Sequence, residues 1–243
     1  MKLIFEELDY RKTPLGEISL RRRSEPMLGN VVIYEVKLDD EFLMSSLFTV
    51  SEIQLARLGL GALEGEDRSL DVVVGGLGLG YTAVAVLDDP KVRSLRVIEV
   101  LEPVIEWHRR GLVPLGQTLT SDPRCTLARA DFFDLAVNQN GFDPAAPDKP
   151  VHAVLLDIDH SPRQWLKDSN STFYTEQGLN RLMKKILPGG IFGLWSNDPP
   201  DTEFGALLES VFQDAESHIV TFPNPYTNGE SSNTIYLARK SGK

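Results

Sequence analysis

The segment over residues 71–80 constrains the fold more than any other part of this chain. Its three successive valines suit a strand that is buried on both faces. A glycine cluster follows, then a helical stretch, and then a second apolar strand that ends in the carboxylate of Glu99. The glycines that permit positive φ and leave bare backbone for a ligand are Gly75, Gly76, Gly78 and Gly80. The segment therefore predicts a βαβ unit with a nucleotide pocket, in which Glu99 accepts hydrogen bonds from a ribose diol.

The spacing of these glycines distinguishes between classes of ligand. A dinucleotide-binding fold requires Gly-x-Gly-x-x-Gly, and counting from Gly76 and Gly78 places Tyr81 where the third glycine belongs. The observed Gly-x-Gly-x-Gly suits a ligand that lies across the loop without a pyrophosphate on the helix N-terminus. A P-loop is excluded because no Gly-Lys-Ser/Thr follows. NAD-dependent oxidoreduction is an alternative that a nicotinamide titration tests.

Strands and helices alternate through the rest of the chain. Strands are expected near residues 70–75, 95–100, 124–129, 151–157 and 190–196, and helices near 79–88, 102–111, 173–187 and 202–213. This alternation predicts βαβ units around a mostly parallel sheet. Two further strands, over residues 217–222 and 233–239, are separated by a predicted loop of residues 223–232. We expect them to add a terminal antiparallel hairpin to the sheet.

Residues 1–50 predict a small β-hairpin module that precedes a main domain over residues 51–243. Two or three strands are too few to be stable alone, so we expect the module to pack on the main domain or on a second copy of the chain. Its unpaired strand edges predict a homodimer. Ser51 is the expected N-cap of a helix over residues 52–63.

The composition is acidic, with a formal net charge of -10 and a pI of about 4.9. This charge disfavours contact with nucleic acid phosphates and suits a cationic or neutral substrate. The densest basic run, Arg21 to Arg23, is expected to lie on a solvated strand edge. A single cysteine, Cys125, excludes an internal disulfide and a cysteine-based zinc cluster, so a cytoplasmic location is expected. No apolar run approaches the roughly 18 residues of a membrane span.

The third predicted strand of the main domain ends in Asp131, which two phenylalanines follow. The Asp131 carboxylate can accept a hydrogen bond from the exocyclic amine of an adenine, and Phe132 can flank the ring. Alternatively, Asp131 caps the short helix that follows it. The sequence leaves both interpretations open.

The fourth strand ends in Asp157, Asp159 and His160. In an open α/β sheet the ligand crevice lies beyond the carboxyl ends of the strands, so these side chains are candidates for catalysis. A carboxylate there can bind a protonated amine and take up its proton before the amine attacks an electrophilic carbon. His160 is an alternative base. The competing interpretation is a turn formed by Asp159 and Pro162, with His160 as an ordinary loop residue.

In combination, these features resemble the spermidine synthase-like branch of the class I S-adenosylmethionine-dependent methyltransferase superfamily. The N-terminal β module, the Val-Val-Val-Gly-Gly-Leu-Gly-Leu-Gly segment, Glu99, Asp131 and Asp157 fall in the family's order. Phe173-Tyr-Thr-Glu before a helix and Leu187-Pro-Gly-Gly-Ile-Phe before a strand are also similar. The resemblance implies a Rossmann-like methyltransferase fold with a mostly parallel seven-stranded sheet, a terminal antiparallel hairpin and the N-terminal β module.

The same resemblance implies roles for individual residues. The glycine loop holds the methionine end of the ligand, Glu99 its ribose and Asp131 its adenine. Asp157 matches the carboxylate that aminopropyltransferases use on the attacking amine. Tyr226 resembles their substrate-side tyrosine.

The chain departs from that family at two places. His160 occupies the position of the second acid in the family's Asp-x-x-Asp, and the segment near residues 42–55 lacks the family's tyrosine and histidine. Because these polar groups are missing, the first hypothesis is a transferase that passes the methyl group of S-adenosylmethionine to a small amine or other nucleophile. One alternative is aminopropyl transfer from decarboxylated S-adenosylmethionine, as in polyamine synthesis. The other is a homologue that binds the ligand without catalysis. No metal site is expected.

Overall fold

An antiparallel sheet of four strands opens the chain in the computed structural model, which describes residues 3–63 and 69–242. The strands are β1 (Phe5–Thr13), β2 (Gly16–Glu25), β3 (Val31–Leu38) and β4 (Glu41–Ser45). Each strand pairs with the next one along the chain. The sequence predicts only two or three strands here, because β1 is rich in charged residues and lacks a clear apolar alternation. The predicted boundary after residue 50 falls in the first turn of the helix that follows.

A seven-stranded sheet forms the centre of the main domain. Its strands are β5 (Leu70–Gly75), β6 (Val92–Glu99), β7 (Cys125–Arg129), β8 (Val151–Leu156), β9 (Ile186–Ser196), β10 (Asp214–Asn224) and β11 (Gly229–Arg239). Their order is β10-β11-β9-β8-β5-β6-β7. The first five in sequence run parallel, and β10 with β11 forms an antiparallel hairpin at one edge. The predicted α/β fold, a Rossmann-like sheet with a terminal hairpin, is confirmed.

Helices pack on both faces of this sheet. They are α1 (Val50–Gly61), α2 (Tyr81–Leu87), α3 (Glu102–Arg109), α4 (Gly116–Ser121), α5 (Phe132–Val137), α6 (Glu176–Met183) and α7 (Thr202–Val211). Val72 and Val74 pack with residues of α1 to α4, whereas Val73 packs with residues of α5 to α7. Successive side chains of a strand point to opposite faces, so β5 is buried on both sides, as its valines predict.

The turn of the terminal hairpin is shorter than the sequence suggests. Pairing between β10 and β11 continues to Asn224 and Gly229, so only residues 225–228 connect the strands. The predicted loop over residues 223–232 is therefore wrong. Pro223 stays within β10 because that strand lies at the edge of the sheet, where a missing N–H leaves no neighbour unpaired. The side chain of Asn224 supports the turn by donating to Ser231 Oγ at 2.9 Å.

The start of α1 also differs from expectation. Thr49 is the N-cap and Val50 begins the helix, so Ser51 lies inside the first turn. Its hydroxyl is buried and donates to Asn233 Oδ1 of β11 at 2.7 Å, which ties the helix to the terminal hairpin. Ser51 is therefore an anchor between two elements and not the predicted cap. None of the helices in the described part of the chain is long and apolar enough to cross a membrane.

Candidate active site

A cavity of about 710 Å³ lies at the carboxyl ends of β5, β6 and β8. Its walls come from both sheets, from the first turns of α1 and α2, and from the terminal hairpin. A volume of this size is typical of a site for a small molecule. The position agrees with the rule that ligands of open α/β sheets bind beyond the carboxyl ends of the strands.

The glycine loop forms one wall of this cavity through Gly76, Gly78 and Gly80, all of which have positive φ. A Cβ atom on Gly76 would lie 2.0 Å from the carbonyl oxygen of Asp157, so the two strand ends are in backbone contact. Gly75 ends β5 behind this wall, where its Cα packs against the ring of Phe132. Three of the four predicted glycines therefore line the cavity directly.

His108, a residue that the sequence does not single out, supports the glycine loop from below. It is fully buried on α3, and its Nε2 lies 2.8 Å from the carbonyl oxygen of Gly78. A carbonyl only accepts, so Nε2 carries the hydrogen and donates it. Burial lowers the pKa of His108, which keeps the ring neutral. The ring thus fixes the loop with one directed hydrogen bond.

Glu99 ends β6 and closes the opposite side of the loop. One carboxylate oxygen accepts from Leu77 N at 3.0 Å, and the other accepts from Leu101 N at 2.9 Å. Burial raises the pKa of Glu99, while these backbone donors act in the opposite direction. The backbone of Gly78 and Val100 acts on the carboxyl group in the same direction, and the residue lines the cavity. The position fits the predicted contact with a ribose diol.

Asp131 caps a helix, as one of the two interpretations of the sequence predicts, and it also lines the cavity. Its Oδ1 caps α5 by accepting from Phe133 N at 2.9 Å and from Asp134 N at 3.3 Å. Its Oδ2 lies 3.9 Å from Lys167 Nζ, and the residue lines the cavity. Phe132 is only 2% exposed and stacks on Phe142, so it offers the cavity little more than a ring edge.

Asp157 is paired with a second carboxylate that the sequence does not identify. Glu52, in the first turn of α1, lines the same cavity and lies close enough for its charge to interact with that of Asp157. Thr82 Oγ1 donates to Asp157 Oδ2 at 2.7 Å and lies 3.3 Å from the carbonyl oxygen of Glu52. Burial raises the pKa of Asp157 to about 6, and burial together with Asp157 raises that of Glu52 to about 8. The two acids therefore titrate as a pair, and burial favours the protonated form.

This pair makes the stability of the protein depend on pH. Both pKa values are higher in the folded state than in the unfolded state, so the stabilising contribution is complete in acid and is lost as pH rises through about 6 and about 8. Tyr81, whose pKa is raised by burial and by Glu52, stays protonated across this range. We expect Glu52→Gln to melt at a higher temperature than the wild type, with a difference that grows from pH 5 to pH 8.

Thermal unfolding followed by circular dichroism at several pH values measures this difference. In a chain of this size, each kcal/mol in the free energy of unfolding shifts the melting temperature by ~2–4 °C. Glu209→Gln is the matched control, because Glu209 lies on the exposed side of α7 and outside the cavity. A difference between Glu52→Gln and the wild type that stays constant with pH would contradict the raised pKa of Glu52.

The other two predicted residues after β8 lie in different surroundings. Asp159 is 1% exposed and does not line the cavity. Its carboxylate accepts from Leu166 N, Asn170 Nδ2 and Tyr174 Oη at 2.8 to 2.9 Å, so it holds the following loop in place. His160 does line the cavity, with Nε2 3.9 Å from Glu41 Oε2 of β4. Asp157 and His160 thus line the same cavity, whereas Asp159 lies outside it but close enough to His160 for their charges to interact.

Tyr226 connects the terminal hairpin to the N-terminal sheet. Its hydroxyl donates to Glu25 Oε2 at 2.7 Å and accepts from Arg23 Nη2 at 3.1 Å. Phe48, from the segment between β4 and α1, packs its ring against the edge of Tyr226. All but Glu25 line the cavity, so residues from both ends of the chain complete its wall.

The basic run in β2 is not the solvated edge that the sequence predicts. Arg21 and Arg23 share one face of the strand, and both donate to Glu35 of β3, which is 4% exposed. Arg22 points to the opposite face and pairs with Glu6. The period of two along the strand separates the three arginines, and only Arg23 reaches the cavity.

Two solved structures share this fold along nearly the whole chain. The crystal structure of spermidine synthase from Thermotoga maritima is 16% identical, and the match covers 98% of this chain and 73% of that chain with a TM-score of 0.71. A spermidine synthase in complex with the transition state analogue AdoDATO is 18% identical, with 98% and 74% covered and a TM-score of 0.72. No family model matches the sequence. At this identity the likeness establishes the fold, which is that of the spermidine synthases the sequence resembles.

Proposed function

We propose that this chain is a transferase that binds decarboxylated S-adenosylmethionine and passes its aminopropyl group to a small amine. The observation that carries the proposal is the pair formed by Glu52 and Asp157 next to the glycine loop. Among the described residues, no lysine or arginine forms an ion pair with either of them, so the pair is suited to cations that come with the ligands. The fold supports the proposal, because the two solved structures compared above are spermidine synthases.

The donor site follows from the strand ends. The loop at Gly76 and Gly78 lines the space for the chain attached to sulfur, Glu99 accepts from the ribose, and Asp131 Oδ2 accepts from the adenine amine. A carboxylate on the donor would lie beside Glu52 and Asp157, with which no described lysine or arginine pairs to offset the repulsion. The site therefore favours the decarboxylated donor over S-adenosylmethionine itself.

The reaction requires the protein mainly to position the two substrates and to accept a proton. Asp157 binds the ammonium of the acceptor and takes one of its protons, which leaves a neutral amine. The donor supplies a carbon already activated by sulfonium: the amine nitrogen bonds to it, the carbon–sulfur bond breaks, and sulfur keeps the electron pair as a neutral thioether. Glu52 shares the proton with Asp157, and Thr82 keeps the Asp157 carboxylate in place. The apolar walls exclude water from the reacting centre.

We expect the purified protein to bind decarboxylated S-adenosylmethionine at least about tenfold more tightly than S-adenosylmethionine, a difference of ~1.4 kcal/mol. Isothermal titration calorimetry with the two donors and with the thioether product measures this directly. Mass spectrometry of a reaction mixture then identifies the group that is transferred. Absence of heat with all three ligands would rule the proposal out, and tighter binding of S-adenosylmethionine would favour methyl transfer.

Methyl transfer is the second candidate, and one observation favours it. The segment near residues 42–55 contributes four apolar side chains to the cavity, and its polar contributions are Ser45, Ser51 and Glu52, with no tyrosine or histidine. A polyamine acceptor has fewer polar contacts there than the family pattern implies. A third possibility is a homologue that binds the ligands without catalysis. Formation of product by the wild type, and its loss in Asp157→Asn, would exclude this possibility.

A further inference from the structure

The charges that line the cavity are unevenly distributed. Its carboxylates, among the described residues, are Glu35, Glu52, Glu99, Asp131 and Asp157. Three of the five already have strong partners. Glu35 accepts from Arg21 at 2.6 Å and from Arg23 at 2.9 Å, while Glu99 accepts from two backbone N–H groups and Asp131 caps α5 next to Lys167.

Glu52 and Asp157 differ from these three because their described partners are neutral hydroxyl groups. Ser51 Oγ lies 3.3 Å from Glu52 Oε2, and Thr82 Oγ1 lies 2.7 Å from Asp157 Oδ2. Transfer of an aminopropyl group brings two ammonium ions to this point, one at the end of the donor chain and one on the acceptor. Two carboxylates without a cation thus match two ammonium groups, and a third ammonium has no carboxylate of its own.

The remaining wall determines what the rest of the acceptor meets. The strand ends accommodate the donor, and Asp157 lies at that end because its carbonyl contacts Gly76. Glu52 lies toward the terminal hairpin, since the adjacent Ser51 bonds to Asn233 of β11. Beyond Glu52, the wall consists of aromatic rings, hydroxyls, amides and one ion pair, that of Arg23 with Glu35. The uncharged residues of this wall are Phe48, Phe222, Asn224, Tyr226, Ser231 and Ser232.

Arg23 makes this wall unfavourable for a second ammonium. Its guanidinium is charged at every accessible pH. The two acids nearest to it, Glu25 and Glu35, accept its hydrogen bonds at 2.6 and 2.9 Å and are therefore already paired. An ammonium that entered here would meet a cation without an unpaired carboxylate among the described residues, whereas a hydroxyl would find donors and acceptors.

We propose that the acceptor of this chain is a small primary amine with a single ammonium group and an uncharged polar tail, rather than a diamine. The inference rests on the proposed function and specifies its substrate class. The fold alone does not predict this preference for an acceptor, because the specificity comes from Arg23 of the N-terminal sheet and not from the strand ends.

Two acceptors of equal length test the inference. They are 4-aminobutan-1-ol and 1,4-diaminobutane, which differ only in a hydroxyl or a second ammonium at the far end. With decarboxylated S-adenosylmethionine as donor, we expect kcat/KM for the amino alcohol to exceed that for the diamine by about tenfold or more at neutral pH. Mass spectrometry identifies both products. Equal values, or a preference for the diamine, would overturn the inference.

A charge-removing variant shows whether Arg23 is responsible. Arg23→Gln frees Glu25 and part of the charge on Glu35, so the preference for the amino alcohol should fall or reverse. Arg22→Gln is the matched control, because Arg22 lies next to it in β2, faces the other way and pairs with Glu6. A preference that Arg23→Gln leaves unchanged contradicts the role of the guanidinium. The wild-type comparison decides the substrate class even if the variant does not fold.

The outcomes separate the inference from the proposed function. If neither acceptor gives a product and titration shows no binding of any adenosyl donor, the proposed function fails and the inference fails with it. If the donor binds and only the diamine reacts, the proposed function stands and the inference fails. Binding of the donor with no product from either acceptor also overturns the inference, because it excludes a simple amino alcohol as acceptor.

Discussion

Replacement of Asp157 by asparagine is expected to lower kcat by ~100-fold or more while leaving donor affinity nearly unchanged. Asparagine keeps the shape of the side chain and can still accept from Thr82, whose hydroxyl lies 2.7 Å from Asp157 Oδ2. It cannot take a proton from the acceptor, so the attacking nitrogen stays an ammonium. Steady-state rates for the transfer reaction measure the first effect, and calorimetric titration with the donor measures the second.

Asp159→Asn is the control that separates proton transfer from structure. Asp159 sits two residues further on, but its carboxylate is buried among Leu166, Asn170 and Tyr174 and does not reach the cavity. We expect this variant to melt at a lower temperature and to keep its kcat once folded. If kcat were instead lost in Asp159→Asn and retained in Asp157→Asn, the proton would be taken by Asp159, and our assignment to Asp157 would be wrong.

Replacement of Gly76 by alanine is expected to damage both the fold and the site. A side chain at φ +95° is strained, which costs ~1–3 kcal/mol, and the new Cβ would also lie 2.0 Å from the carbonyl oxygen of Asp157. One of the two strand ends must move. Because Asp157 carries the carboxylate of the acceptor site, its displacement should weaken binding and turnover beyond the loss of stability.

Unfolding in urea and calorimetric titration with the donor measure the two effects of Gly76→Ala. Gly205→Ala is the control, since Gly205 lies in α7 and a Cβ there would meet no atom within 4 Å. An alanine inside a helix is expected to be neutral or to stabilise by ~0.5–1 kcal/mol. A Gly76→Ala protein that unfolds at the wild-type urea concentration and binds the donor with unchanged affinity would contradict the backbone contact.

The strand ends are the part of the site that the sequence predicts best. A run of β-branched residues such as the valines of β5 predicts a buried strand by itself. In parallel sheets the residue after each strand lies at one common edge. Glu99, Asp131 and Asp157 could therefore be placed together before the structure was known. The choice between Asp157 and Asp159 could not be made, because it depends on a buried network formed with Asn170 and Tyr174.

Contacts between distant parts of the chain could not be predicted from the sequence. Glu52 reads as an ordinary acid in the first turn of a helix, and nothing local indicates that Asp157 lies beside it. The sequence likewise predicts a solvated run for the arginines of β2. The period of a strand shows that Arg22 points to the face opposite that of Arg21 and Arg23, but it does not show which face is buried. The pairing of Arg21 and Arg23 with Glu35 decides that, and it depends on the register between β2 and β3.

The division of the cavity between two sheets has a consequence for how such a protein can change. The proposed donor contacts come from the ends of parallel strands, where substitutions disturb the core of the main domain. The wall around Arg23 and Tyr226 comes from an antiparallel sheet and a hairpin turn at its rim. Substitutions there can accumulate with little cost to the central fold. The acceptor wall can thus change while the ends of the parallel strands stay as they are.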